Sequence, residues 1–192
     1  MAIYETRTRR FSRSEYDRLI QLGVFGEDEH IELIGGELIV AEPEGAEHYT
    51  AVVKTSRALA AAFGPGWYVR AAGPIGLDDE SEPEPDVAVV QGDVEDYRGE
   101  HPSRAVLMVE VAHSSLASDR HRKNSLYARA ELADYWVLNL VDRVLEVYRE
   151  PVTDPAAPFG WRYARVEVFD AGAHVVPLAL PHARIAVASL LP

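Results

Sequence analysis

The chain contains no cysteine. That excludes disulfides and thiolate metal sites, so any metal must be held by oxygen or imidazole. It has no apolar run long enough to cross a bilayer, and its start, MAIYETRTRRFSR, holds no hydrophobic signal segment. The expectation is a cytoplasmic protein without membrane contacts. No internal repeat or low-complexity tract interrupts the 192 residues, a length that suits one domain over 1–192 with a sizeable core. Positive charge is also in deficit. A net charge of −12 argues against a general nucleic-acid coat protein, because phosphate binding is driven by Lys and Arg.

What is present is ordinary in bulk and uneven in distribution. Hydrophobic residues make up 47% and charged residues 26%, as in a typical globular protein. Basic residues gather at Arg7, Arg9, Arg10, Arg13 and Arg18 and again over 120–129, whereas acids gather over 27–47, 78–86 and 93–100. The local basic patches keep nucleic acid open as a partner. Most of the acidic stretches read as solvated loops.

Local signals give an order of elements. FSRSEYDRLIQLG reads as a helix with Ser12 as N-cap, Glu15 completing a capping box and Gly23 ending it. HIELIGGELIV reads as a hairpin turning at Gly35-Gly36. Over 46–63, Tyr49, Val52, Val53, Ser56, Leu59, Ala60 and Phe63 follow helical spacing, and Gly-Pro-Gly stops the run. Three strand-like segments follow at 67–72, 86–90 and 105–111, the first two joined by the acidic, proline-rich loop DDESEPEPD. Residues 118–131 look helical, with Leu126, Tyr127 and Ala130 on one face. DYWVLNL and RVLEVYRE form paired strands across a turn near Asp142, and short β segments such as WRYARVEVF follow Pro151.

Two acids fall in strand-like runs that otherwise read as buried. Asp86 opens DVAVV and Glu110 sits inside VLMVEV. Side chains alternate along a strand, so such acids face either solvent or a pocket. If the strands are neighbours, the two carboxylates converge, and without thiols such a pair suits a hard cation, Mg²⁺ or Mn²⁺. Asp119 and Lys123, four residues apart, would share a helix face, with Asp119 orienting Lys123 beside the metal. The plainer readings are acids exposed on a sheet face and a surface Asp–Lys pair.

A longer block separates these readings. VEVAHSSLASDRHRKNSLYARAELADYWVLNL contains, in order, Glu110-Val111, Ser114-Ser115-Leu116, Asp119-Arg120 with Lys123, Leu126-Tyr127-Ala128 and Tyr135-Trp136. It resembles the bacterial restriction endonuclease-like family of the PD-(D/E)XK nuclease superfamily. The hairpin IELIGGELIV, His48 and the Pro-Asp of EPEPDVAVV extend the resemblance over roughly 11–149. It implies an α/β (α+β) restriction endonuclease-like core, a mixed sheet in the order helix, three strands, helix, strand. That core spans about 46–149, with the helix and hairpin of 11–41 before it and β additions over 151–192 after it.

The resemblance further implies that Asp86 and Glu110 hold Mg²⁺ or Mn²⁺, joined by the Val111 carbonyl. Lys123 stands as the catalytic lysine displaced onto the following helix, since Ala112 occupies its usual place. Either Glu32 or Glu37 adds a further acid, with Glu32, inside the strand-like run, preferred. Supporting roles fall to His48, Asp119 and Tyr127, and phosphate contacts to Arg120 and Arg122; core packing and exposure are the competing readings for Tyr127 and His48. His113, His121 and Arg122 depart from the family pattern. His113 and His121 read as phosphate or solvent contacts, and Tyr135 and Trp136 as core. The implied activity is a metal-dependent endonuclease acting on DNA, as a homodimer whose interface comes from the β segments after Pro151. The alternatives are a catalytically silent scaffold that binds nucleic acid or protein, and a metal-dependent hydrolase of a small phosphorylated compound.

Overall fold

The computed structural model describes residues 8–26, 29–41 and 45–192; Arg7, Glu27, Asp28, Glu42 and Glu44 lie outside the described residues. Helix α1 (Arg13–Gln21) starts where the capping signals place it. The Ser12 side chain accepts from the Glu15 amide, and the Glu15 side chain accepts from the Ser12 amide. Strands β1 (Ile31–Ile34) and β2 (Glu37–Val40) form an antiparallel hairpin. Gly35 and Gly36 turn it with φ of +59° and +78°, the left-handed pair that a two-residue turn requires. Helix α2 (Ala46–Phe63) ends at Gly64, whose φ is +67°.

A six-stranded sheet in the order β3-β4-β5-β6-β7-β8 forms the centre. Its strands are β3 (Trp67–Ala71), β4 (Val87–Gln91), β5 (Leu107–Ala112), β6 (Asp134–Asn139), β7 (Val144–Thr153) and β8 (Trp161–Phe169). Only β5 and β6 run parallel, which requires a crossover between them. The crossover is helical: α3 (Leu116–Ser118), a π-helical turn (Asp119–Lys123) and α4 (Asn124–Arg129). The fold class read from the chain, a mixed sheet with the restriction endonuclease-like order, is the one observed.

All six residues of β5 and of β6 are buried, because both sheet faces are covered. On one face α2 packs with Val87, Val89, Val109, Val111, Trp136 and Leu138. The chain end, through β9 (His174–Val175), β10 (Ile185–Ala186) and Leu190, completes that layer. On the other face Leu126, Tyr127 and Ala128 of α4, with Ile34 of β1, pack on Ala88, Met108, Ala112, Tyr135 and Val137. Glu110 lies in phase with Met108 and Ala112, so strand alternation aims it at this second face, under α4 and the hairpin.

Three local expectations are corrected. The buried face of α2 is Ala51, Val52, Thr55, Leu59 and Phe63, while Tyr49 is exposed; the apolar stripe is rotated toward the small residues that let the helix approach the sheet. In the crossover helix Leu126 and Tyr127 are buried as expected, with Ala128 beside them, but Ala130 is exposed, because α4 ends at Arg129 and Ala130 leaves the helix as its C-cap. The acidic link is a loop, as expected, with Asp78, Asp79 and Glu80 exposed, but its second half is packed rather than solvated. Ser81 and Glu82 are buried, the Gly36 amide donates to Glu80 O at 2.7 Å, the Gly35 amide donates to Ser81 Oγ at 3.1 Å, and the Glu82 amide donates to Leu33 O at 2.7 Å. The loop thus serves as an irregular third strand beside the hairpin.

A buried carboxylate ties the crossover to the sheet. Glu146 on β7 accepts from Arg120 Nε at 3.0 Å and Nη2 at 2.5 Å, from Asn139 Nδ2 at 2.9 Å and from the Tyr148 hydroxyl at 2.6 Å. Burial raises its pKa, but these donors outweigh burial and hold the carboxyl below the usual range. A group whose pKa is depressed on folding contributes stability above its unfolded value of about 4.3 and loses it as pH falls. Glu146→Gln is therefore expected to lower unfolding free energy by about 2 kcal/mol at neutral pH. The deficit should shrink below pH ~4, as read by urea unfolding of both proteins.

Candidate active site

Five segments converge on one place under the hairpin, three of them with charged side chains. Lys123, from the π turn, sits with Nζ 3.1 Å from Glu32 Oε1 of β1 and 3.1 Å from Glu110 Oε1 of β5. It is one of two lysines in the chain. Tyr127 of α4 donates its hydroxyl to Glu110 Oε1 at 2.6 Å. The Glu84 amide, from the packed acidic link, donates to Glu32 Oε1 at 2.9 Å. Glu110 is 3% exposed and Glu32 7%, so neither acid is a surface group.

Asp86, just before β4, stands beside this cluster. Its Oδ2 accepts from the Val111 amide at 2.7 Å and lies 3.2 Å from Nε2 of His48, in the first turn of α2. The contact has a topological cause. The β4–β5 ladder ends at Val87–Val109, so the Val111 amide lies beyond the β4 partners and the Asp86 side chain takes it. The carboxylates at the ends of two adjacent antiparallel strands are thereby brought together, which the spacing in the sequence alone left conditional.

The cluster carries more acid than base. Burial pushes the Glu110 carboxyl well up; Lys123 opposes that rise, and Asp119, Asp86 and Glu32 add to it. Burial alone would lower Lys123, but the surrounding carboxylates win and keep it cationic. Asp119, 2% exposed, is raised to about 6 by burial. Burial also raises Glu84, helped by the nearby charge of Glu32.

Such an arrangement suits a hard cation in its donor chemistry. Asp86 and Glu110 are oxygen donors on rigid strand ends, and the Val111 carbonyl belongs to the same strand end. Mg²⁺ commonly takes one or two protein carboxylates and keeps its waters. Among the described residues no group of three or more His, Asp or Glu side chains is placed to hold a metal ion by itself.

The expected residues are distributed as follows. Asp86, Glu110, Lys123, Glu32, Tyr127 and the Val111 backbone fall in one contiguous cluster, with His48 attached through Asp86. Glu37 is outside it, half exposed and bound to Arg122 at 2.6 Å. Asp119 is near enough to feel Lys123, yet Lys123 pairs with Glu32 and Glu110 instead. The reason is the π turn, in which residues four apart no longer stack as in an α-helix. Both arginines expected at phosphate are paired with carboxylates, Arg120 with Glu146 and Arg122 with Glu37. His113 and His121 are exposed. Trp136 is core, its indole bonded to Asp134, and the Tyr135 hydroxyl holds the Asp119 carbonyl at 3.1 Å.

Glu84 is the site residue that the sequence reading missed. Its signal was its place two residues before Asp86, between prolines 83 and 85 that keep the segment extended. A cleft of about 490 Å³, lined by Tyr16, His30, Glu82, Glu84 and His101 among others, opens beside it.

Comparison with known proteins places this geometry. A family model described as "Uma2: Putative restriction endonuclease" matches residues 13–188. A solved structure from Anabaena variabilis ATCC 29413, described as a putative nuclease belonging to DUF820, superposes with a TM-score of 0.65 at 17% identity. The match covers 88% of this chain and 94% of that one, and at that identity the likeness is one of fold. No similar protein was found among the curated ones.

Asp119 gives a test of the site's electrostatics without any ligand. Because its pKa is raised on folding to about 6, ionised Asp119 opposes folding, and the folded state gains stability as pH falls through that value. Asp119→Asn is expected to raise the unfolding midpoint at pH ~8, by roughly 1–3 kcal/mol of stability, and to change it little near pH ~4. Thermal unfolding in EDTA at the two pH values reads the difference.

Proposed function

The chain belongs to the Uma2 family, and on that footing we propose that it is a metal-dependent endonuclease that hydrolyses phosphodiester bonds of DNA, in the cytoplasm and as a homodimer. The observation that carries the reading is the Lys123 ammonium 3.1 Å from Glu110 Oε1, in a buried cluster that also contains Asp86. An ammonium held among acids at the ends of two strands is what phosphodiester hydrolysis needs beside a metal.

Mg²⁺ or Mn²⁺ held by Asp86, Glu110 and the Val111 carbonyl would supply Lewis-acid neutralisation of the scissile phosphate and a more acidic attacking water. Lys123 stays cationic and, placed between Glu32 and Glu110, meets negative charge as it develops on the phosphate. Glu32 fixes the ammonium by a 3.1 Å bond. The Tyr127 hydroxyl fixes the Glu110 carboxylate, and His48 and the Val111 amide fix that of Asp86.

Supercoiled plasmid is expected to be nicked or linearised with Mg²⁺ or Mn²⁺ and to stay intact in EDTA. Glu110→Ala and Lys123→Ala should each lower the rate by at least ~100-fold. Metal should raise the unfolding midpoint of the wild type but not of Glu110→Ala. Metal binding with no cleavage would redirect the assignment to a small phosphorylated substrate; absence of both would identify a silent scaffold.

A further inference from the structure

Strand β8 is a free edge of the six-stranded sheet. It pairs with β7, and among the described residues no other strand pairs with it. Nine residues long, it presents roughly 30 Å of outward backbone donors and acceptors. Folded proteins usually protect such an edge by shortness, charged side chains, proline, a bulge or a covering segment, and of these β8 carries charge, in Arg162, Arg165 and Glu167. WRYARVEVF contains neither proline nor glycine, and it keeps one register with β7 from Leu145–Phe169 to Thr153–Trp161, interrupted only at Glu150, whose φ is +62°. Val166 is 51% exposed and Val168 63%.

The sequence of this edge is complementary to itself. When two copies are laid antiparallel about Val166, Val166 meets Val166, Ala164 meets Val168, and Arg165 meets Glu167 on both sides of the axis. Directly opposed side chains in an antiparallel ladder lie about 5 Å apart, near enough for an opposite-charge pair. Moving the axis to Arg165 or to Glu167 would set like charges face to face, and of the two-fold registers on this strand only the one at Val166 sets Arg165 opposite Glu167. The two charged groups are already turned to the same side, since Arg165 Nη2 lies 2.9 Å from Glu167 Oε1 within the strand.

We propose that β8 is the surface through which two copies of this chain associate, edge to edge, in a two-fold antiparallel contact centred on Val166. The contact is isologous, so each Arg165–Glu167 pair occurs twice, and it joins the two sheets into one. β6 and β7 separate β8 from β5, so each copy keeps a whole cluster around Glu110 and Lys123. This names the surface of the homodimer proposed above and rests on that part of the reading, not on nuclease activity. A strand-edge contact is at the small end of stable interfaces, so the dimer should dissociate on dilution.

Sedimentation velocity over a dilution series tests it on the full chain, with circular dichroism confirming that each variant is folded. The wild type is expected to shift from dimer to monomer on dilution. Arg165→Glu and Glu167→Arg, which place like charges opposite each other, should each weaken dimerisation by about tenfold or more. Val166→Lys, which sets two ammonium groups on the axis, should do the same. The double variant Arg165→Glu with Glu167→Arg should dimerise again, because its pairs are only exchanged. Dimers insensitive to the single changes, or a double variant that stays monomeric, would overturn the β8 interface while leaving a dimer elsewhere. A wild type monomeric at every concentration would overturn the homodimer as well, and plasmid cleavage would report on the nuclease separately.

Discussion

The buried Lys123 ammonium, shared by Glu32 and Glu110, is the constraint on which the site and its surroundings depend. A cation cannot be left unpaired in a protein interior, and removing either acid would leave an excess charge of high cost. The hairpin must therefore lie over the crossover, and β5 must turn Glu110 to that same face. The glycine turn, the packed acidic link and the π turn all follow this requirement. The link holds the hairpin through Gly36, Gly35 and Leu33. The π turn hands over Lys123 at a point where the sheet offers Glu110.

Two kinds of low-exposure acid contrast in this molecule. Asp134 is fully buried, yet it accepts from the Trp136 indole, from Arg149 and from the Leu178 amide. Glu146 is likewise surrounded by donors. Both behave as satisfied core groups. Glu110, Asp119 and Glu84 have too little positive charge near them, and burial raises all three. Acids held in that state cost stability, and such cost concentrates where a ligand is meant to complete the charge balance.

Several elements were legible because their cause is local. The capping box at Ser12 and Glu15, the Gly35-Gly36 turn and the limits of α2 at Gly45 and Gly64 depend on residues a few positions apart, and each was read correctly. The buried strands β5 and β6 announced themselves as apolar runs. The acidic link was read correctly as a loop, but the packing of its second half was not legible, because it comes from Leu33, Gly35 and Gly36, some 45 residues upstream, which no local pattern contains. The π turn was missed for a related reason: its extra residue is tolerated only because Glu146 captures Arg120 and Glu110 captures Lys123.

Read alone, the residues set which donor types the chain can offer and where its acids fall. Without cysteine any metal donor has to be oxygen or imidazole, and an acid inside each of two apolar runs, followed by a lysine after a short helical start, made Asp86, Glu110 and Lys123 the candidates. Only the tertiary structure decided which partners they take. It chose Glu32 over Glu37, put Lys123 on Glu32 and Glu110 rather than on Asp119, and drew Glu84 into the cluster. The reason is physical. Residue type fixes what a group can donate, accept or ligate, whereas the pairing of buried charges is set by strand register and by the close approach of segments far apart in the chain.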